Sequence, residues 1–297
     1  MRKFRDAVRH SDFVVAAQLP LAPGTTAEDV RHMVETLQPV VDAVLVTDNT
    51  STRPHMSPLA AAIIALQAGK DPIVQLSCRD RNRIALQGDL MGAAALGITS
   101  LVLTRGEKLP AAHKQRIKGV FDIGAQRLLA TAQAVSANER LIAPPGFFLG
   151  ANVTVIDPPD GWSADGVDSK ADAGSKFLLT QPCLDVGVLS RYMAALVARK
   201  AIERISVIVQ VPLLDSAEML GELRNARRPL IIPRGLLLRL KQSDDFSKEA
   251  ESICSDVINA VSHVPGVSGA CIVHRGAPSA AVRVLGAAFA GGGHGRA

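Results

Sequence analysis

The stretch Gln75–Glu107, QLSCRDRNRIALQGDLMGAAALGITSLVLTRGE, decides the fold of this 297-residue chain. It opens in a short apolar run and closes in another, and such runs are typical of strands that are buried on both faces. Between them we predict a helix over Asn82–Leu96, with Asp80 or Asn82 as its cap and Gly97 as its left-handed stop. The stretch therefore predicts a strand, a helix and a second strand in succession.

The same unit recurs along the whole chain. We predict eight strands, over Val14–Leu19, Ala43–Thr47, Ile73–Ser77, Ser100–Thr104, Phe147–Val153, Phe177–Gln181, Ser206–Val211 and Gly269–Val273. Helices are predicted between them, over Ala27–Leu37, Pro58–Leu66, Asn82–Leu96, Gly124–Val135, Asp165–Ala173, Val186–Ala198, Ala217–Leu223 and Asp244–Val261. This alternation predicts an α/β protein with a single (β/α)₈ TIM barrel, which commonly needs about 250 residues. A doubly wound open sheet is the alternative, but Leu19–Gly24 lacks the Gly-rich turn of that fold.

We expect residues 1–290 to form this one barrel domain, with residues 291–297 as a flexible Gly-rich tail. The opening Met1–His10 is basic and predicts a surface helix, since no apolar signal-peptide core follows it; a transit peptide is the alternative. The most apolar stretch, Leu230–Leu240, is too short to span a membrane and is broken by Pro233 and Arg234.

Composition narrows the function. The net charge of +5 is compatible with anionic partners, but aromatic residues make up only 3% of the chain, too few for stacking on nucleic-acid bases. The four cysteines and seven histidines show neither C-x-x-C nor H-x-x-x-H spacing, so we expect no metal site. Scattered cysteines also favour a reducing, cytoplasmic location. We therefore expect a cytoplasmic protein that binds neither nucleic acid nor membranes; a homo-oligomer stays open.

Polar residues end the apolar strands, and in a barrel these ends build the active site. They are Gln18, Thr47-Asp48-Asn49, Gln75 with Ser77, Arg105-Gly106-Glu107, Asn152, Thr180-Gln181, Gln210 and His274-Arg275. The set is rich in amides and lacks Ser/His/Asp or Cys/His pairs, which disfavours nucleophilic hydrolysis. Amides suit the orientation of a planar heterocycle by hydrogen bonds.

The stretch Gln75–Glu107 resembles the methylenetetrahydrofolate reductase family, in which a strand, a TC-x-D turn, a helix and a strand ending in (T/R)GD recur. Its C-R-D-R-N form is most similar to reductase domains that work with folate-dependent methyltransferases. Further matches follow in order along the chain: Val15–Pro20, Val44–Thr47, Gly150–Asn152, the run KADAGSKF from Lys170 to Phe177 before Thr180-Gln181, then Pro212 and His274-Arg275.

The resemblance implies a barrel that binds FAD at the carboxyl ends of its strands. NADH or NADPH would reduce the flavin, and the flavin would then reduce 5,10-methylenetetrahydrofolate to 5-methyltetrahydrofolate, a reaction of one-carbon metabolism and methionine biosynthesis. The implied FAD contacts are Thr47, Gln75, Arg105, Gly106, Ala151, Asn152 and Lys170. Gln181 would bind the folate ring or the nicotinamide, and Arg275 would face the folate.

Three positions depart from the family pattern. The family has a Glu on strand one that acts as an acid on the folate, and Gln18 stands there; a primary amide cannot donate that proton. Glu107 stands where the family has Asp, and Gln75 where it has His. We hypothesise that Glu107 partly takes over proton delivery, through a water held by Gln18, or electrostatic tuning, so both are candidate catalytic residues. The alternatives are a catalytically altered folate- or flavin-binding paralogue and a subunit of a folate-dependent methyl-transfer system.

Overall fold

Eight parallel strands close into a barrel in this computed structural model, and each strand neighbours the next along the chain. The structure describes residues 1–49, 54–107, 118–138, 146–226 and 229–290. The strands are β1 (Val14–Gln18), β2 (Ala43–Val46), β3 (Asp71–Ser77), β4 (Ser100–Thr104), β5 (Phe148–Val153), β6 (Phe177–Thr180), β7 (Ser206–Pro212) and β8 (Val267–Val273). The prediction of a (β/α)₈ barrel is therefore confirmed, and all eight strands form at the predicted places.

Helices pack around this barrel. They are α1 (Phe4–His10), α2 (Ala27–Leu37), α3 (Pro58–Gln67), α4 (Arg83–Ala95), α5 (Ala125–Ser136), α6 (Asp165–Asp172), α7 (Val186–Ala198), α8 (Ala217–Asn225), α9 (Arg234–Gln242), α10 (Phe246–Ser262) and α11 (Pro278–Phe289). All eight predicted helices between the strands are present. Asn82 rather than Asp80 caps α4, since its side chain accepts the N–H of Ala85 at 2.9 Å.

Two helices were absent from the sequence prediction, and a proline stands at the start of each. Pro233 is the residue before α9, and Pro278 is the first residue of α11. Proline is compatible with the first turn of a helix because the N–H that it lacks would have no partner inside the helix. Pro233 interrupts the apolar stretch Leu230–Leu240, and it also marks the start of a helix.

Helix α1 closes the amino-terminal end of the barrel. Its Phe4 is fully buried and makes edge contacts with Phe148 and Phe177, with ring centroids 5.9 and 5.4 Å apart. The carboxylate of Asp71, at the start of β3, accepts the Phe4 N–H at 2.9 Å and pairs with Lys3 at 3.0 Å. The predicted surface helix thus has one buried face that fills the bottom of the barrel, which leaves the opposite, carboxyl end as its open mouth.

The strand register sets which side chains share a height inside the barrel. Gln18 pairs with Leu45 and Leu45 pairs with Ile73, and the next inward residue of β3 is Gln75. Because the strands are tilted, residues that pair in neighbouring strands do not lie at the same height along the barrel axis. A layer of side chains at equal height therefore advances by two residues at every second strand and takes one side chain from each of those strands. The pairing of all eight strands places four side chains in one such layer and returns to Gln18 after a full turn: Gln18, Gln75, Asn152 and Gln210.

Candidate functional site

The four primary amides Gln18, Gln75, Asn152 and Gln210 form what we call the amide layer. All four are half-buried, as expected for side chains at the bottom of an open mouth. The inward residues of the even-numbered strands lie one level below, and all of them are buried and apolar: Leu45, Val102, Leu179 and Cys271. The amide layer is therefore the level at which the barrel interior changes from hydrocarbon to hydrogen-bonding groups.

Most hydrogen-bonding groups of the amide layer have no partner among the described residues. Asn152 Nδ2 donates a long bond to Thr104 Oγ1 at 3.5 Å, while Asn152 Oδ1 is buried and has no partner among the described residues. The side-chain amides of Gln18, Gln75 and Gln210 bond to no other described residue. Because a buried polar atom such as Asn152 Oδ1 is nearly always hydrogen-bonded, the layer is suited to a ligand or ordered water.

The level above the amide layer contains Thr47 and Gln181, both almost fully buried. The Gln181 carboxamide binds the backbone of Val155 on both sides, accepting its N–H at 2.8 Å and donating to its carbonyl at 3.0 Å. These bonds hold the connection after β5 against the end of β6. The direct substrate contact expected of Gln181 stays a prediction, and the observed bonds give it a positioning role.

Gly106 follows β4 in the left-handed region, with φ of 81°. A Cβ built there would lie 2.2 Å from Ser77 Oγ and 2.8 Å from Arg79 Cβ, so no larger residue fits. The Gly106 N–H points back to Thr104 Oγ1 at 3.3 Å. The glycine that the sequence singled out therefore lets the β4 turn pack directly on the turn after β3.

A buried carboxylate joins the ends of β2 and β3. Asp48 has a fully buried side chain that accepts two bonds from Arg81, at 2.6 and 3.1 Å, and the N–H of Ser77 at 2.8 Å. Arg81 also contacts Asp89 of α4 at 2.9 Å. Burial raises the pKa of Asp89, and the positive charge of Arg81 opposes that change. This network fixes the residues that follow Thr47 and those that follow Gln75.

The C-R-D-R-N motif also contains Arg79, next to Asp80. Its guanidinium binds both oxygens of Asp80, at 2.6 and 2.7 Å, and donates to the Asn49 carbonyl at 3.0 Å. Together with the Asp48–Arg81 pair, these contacts give the motif a structural function, which is to hold the connection after β2 to the start of α4.

Arg105 and Glu107 are exposed at the rim of the mouth. The Arg105 guanidinium lies 5.1 Å above the ring of Phe121, a cation–π contact. Burial raises the pKa of the neighbouring Cys78 thiol to about 11, although the charge of Arg105 lowers it in part. Glu107 follows β4, three strands away from Gln18 on β1, so the two candidate catalytic residues stand on different sides of the mouth.

Two expected cofactor contacts differ in how they reach the mouth. Ala151 alternates with the inward Gly150 and Asn152, so its buried side chain packs in the core between sheet and helices. Only its backbone can face a ligand. Lys170 lies on α6, where its ammonium donates to the Gly166 carbonyl at 2.7 Å.

The end of β8 contributes a charged and a neutral side chain. Arg275 pairs with Glu222 of α8 at 2.6 Å, and both are partly exposed. His274 is buried, and its Nδ1 lies 3.1 Å from the Gly276 carbonyl. Burial lowers the pKa of His274, which favours the neutral imidazole. Arg275 therefore carries the positive charge at this side of the mouth.

Sequence reasoning missed two parts of this site. Gln210 was recognised as a polar strand end but not as a site residue, and Asp48 was not connected to Arg81. Gln210 lies two residues after the inward core residue Ile208 on β7. This spacing identifies Gln210 as a site residue only once the strand register of the barrel is known. Within the described ranges, no three His, Cys, Asp or Glu side chains lie close enough to hold a metal ion, and no helix is long and apolar enough to cross a membrane.

Comparisons with known proteins bear on the fold and the family of this chain. A solved structure of an uncharacterized protein from Clostridium thermocellum, which binds two copies of 5-methyl-5,6,7,8-tetrahydrofolic acid, superposes with a TM-score of 0.68 over 96% of each chain. At 11% identity, this likeness shows a shared fold. No curated protein matches the sequence. The family model described as methylenetetrahydrofolate reductase matches residues 19–264, which is most of the chain. The protein therefore belongs to the methylenetetrahydrofolate reductase family.

Proposed function

We propose that the protein binds a reduced folate at the mouth of the barrel and reduces 5,10-methylenetetrahydrofolate to 5-methyltetrahydrofolate with FAD and NADH or NADPH. The observation that carries this proposal is the amide layer, in which Gln18, Gln75 and Asn152 share one half-buried level with unused hydrogen-bonding groups. Family membership supplies the reaction class, and the folate-binding structural neighbour supports the choice of ligand.

The chemistry of the amide layer fits a pterin or flavin ring. Each primary amide offers two N–H donors and a carbonyl acceptor, and both ring systems carry N–H and C=O groups along one edge. The layer contains no ionisable group, so an uncharged ring can lie against it without leaving a buried charge unpaired. The apolar level beneath it closes the barrel to water.

The residues expected to hold FAD fit that role on two observations. Asn152 Oδ1 is buried without a partner among the described residues, which leaves an acceptor for a ring N–H, and Gly106 brings backbone without a side chain to the rim. Thr47, Gln75 and Arg105 would complete the contacts from the neighbouring strands. Bound FAD would supply the hydride transfer between the nicotinamide and the folate, while the protein orients both rings.

Proton supply is the step for which this chain differs from its family. Gln18 cannot act as an acid, and the carboxylate of Asp48 is committed to Arg81. Glu107 is exposed at the rim after β4, and a water held by Gln18 would carry its proton to the folate. We propose that Glu107 is the proton donor and that Gln18 is the residue that positions this water.

Steady-state turnover of methylenetetrahydrofolate tests this assignment. We expect Glu107→Gln to lower kcat by about 10²-fold or more, because loss of a general acid typically costs 10²–10⁴ in rate. Gln18→Glu should raise kcat, since it places an acid directly on β1. Exposed Glu203, far from the mouth, provides the matched control as Glu203→Gln. Full activity in Glu107→Gln would refute the role of Glu107.

A second candidate function is folate binding without turnover. It is favoured by the absence of any carboxylate from the amide layer. In that case the purified protein would bind tetrahydrofolate, and any bound flavin would be reduced by NADH without formation of 5-methyltetrahydrofolate. Product analysis by mass spectrometry separates the two functions, because only the reductase accumulates the methylated folate.

A further inference from the structure

Gln210 is the member of the amide layer that has no place in the proposed set of cofactor and substrate contacts. Its backbone is fixed on both sides: its N–H donates to Thr180 Oγ1 at 2.9 Å, and its carbonyl accepts the N–H of Cys183 at 3.0 Å. Ile208, two residues earlier on β7, is buried inside the barrel. Because side chains alternate along a strand, the Gln210 side chain is directed into the mouth.

The Gln210 carboxamide is half-buried and bonds to no other described residue. Below it lie buried Leu179 and Cys271, which offer it no strong hydrogen bond. Asn152 Oδ1, in the same layer, is a buried polar atom without a described partner. Leaving that atom unpaired is costly, so a ligand that binds it across the layer would also meet the half-buried Gln210 carboxamide.

We infer that Gln210 is a ligand-binding residue which completes the amide layer as a recognition surface for an uncharged, fused pyrimidinone ring. This inference rests on the proposed function and adds a residue to it. The ring edge is shared by a pterin and a flavin, and its N–H and C=O groups would pair with the carboxamide oxygen and nitrogen. A neutral carboxamide selects for a neutral edge, because a carboxylate or ammonium group facing it would lose its hydration without gaining a counter-charge.

The test compares Gln210→Met with wild-type full-length protein by isothermal titration calorimetry. Tetrahydrofolate under anaerobic conditions and FAD are titrated separately, so that the two sources of the ring are distinguished. Methionine has nearly the length of glutamine but cannot donate a hydrogen bond. Gln242→Met, at the exposed end of α9, is the matched control. p-Aminobenzoylglutamate, which has the folate tail but no pterin, is the control ligand.

We expect Gln210→Met to weaken binding of the ring that lies on the amide layer about 10-fold, which corresponds to about 1.4 kcal/mol. Its Tm should stay within about 2 °C of wild type, because the carboxamide has no described protein partner to lose. Binding of p-aminobenzoylglutamate should not change. Gln210→Asn, which withdraws the amide by one methylene, should be intermediate and serves as the second variant if Gln210→Met does not fold.

Unchanged affinity of Gln210→Met for both rings would overturn the inference while leaving the proposed function intact. A fall in Tm of more than about 5 °C together with equal losses for all three ligands would show a structural role and would also overturn it. If wild type binds neither ring, the proposed function fails first, and the inference fails with it.

Discussion

Asp48→Asn should be the most destabilising single-atom change at the mouth of the barrel. The substitution keeps the shape of the side chain but removes its charge and turns one acceptor into a donor. Asp48 accepts three hydrogen bonds, two from Arg81 and one from Ser77, and its side chain is fully buried. After the substitution, the Arg81 guanidinium keeps its ion pair with Asp89, at 2.9 Å, and the nearby charge of Asp80.

The expected loss follows from burial. Removing one partner of a buried ion pair costs about 3–5 kcal/mol because the remaining charge is left without compensation. Arg81 is 18% exposed and keeps a second carboxylate, so we expect the lower end, about 3 kcal/mol. The matched control is Asp157→Asn. Asp157 binds Arg191 through two bonds of 2.7 and 2.8 Å, but both side chains are more than half exposed, so we expect no measurable loss.

Urea unfolding at 25 °C, followed by circular dichroism, gives the free energy of unfolding of both variants. The bond lengths of the two pairs are similar, so the difference reports on burial together with the additional bond from the Ser77 N–H. A third variant that combines Asp48→Asn with Arg81→Met should recover part of the stability, since it removes the uncompensated charge. Equal losses in Asp48→Asn and Asp157→Asn, or a loss below about 1 kcal/mol in the former, would refute the reasoning.

Two further predictions concern the turns that follow β4 and β3. Gly106→Ala should abolish ligand binding and lower the free energy of unfolding by clearly more than the control Gly97→Ala. Both glycines have a positive φ, but a Cβ at Gly97 meets no atom within 4 Å, whereas a Cβ at Gly106 collides with Ser77. Equal losses measured by urea unfolding would contradict the collision. Cys78 should resist iodoacetamide at pH 8 in the folded protein and react after unfolding, as mass spectrometry would show, because burial raises its pKa to about 11. The raised pKa of Cys78 stabilises the fold below about pH 9, and this contribution should be lost as pH rises through 11. Rapid labelling of Cys78 in the folded protein at pH 8 would contradict the prediction.

The α/β alternation could be predicted because it is local. Apolar runs such as Ser100–Thr104 and stops such as Gly97 each act within a few residues, and the structure places strand and turn where the sequence did. The helices at Arg234–Gln242 and Pro278–Phe289 were missed for a local reason too. A proline either breaks a helix or starts one, and which of the two occurs depends on the packing that follows.

The sequence by itself determined the eight strands, the family and most of the polar strand ends, since each is written within a short stretch such as Gln75–Glu107. The tertiary structure alone decided which of those ends share a level. Gln18 and Gln210 lie 192 positions apart by their numbers, and they meet because the strand stagger accumulates around a closed barrel. The tertiary structure also decided that Asp48, in the turn after β2, pairs with Arg81, in the turn after β3. Stagger and closure depend on all eight strands at once, so no local pattern contains them.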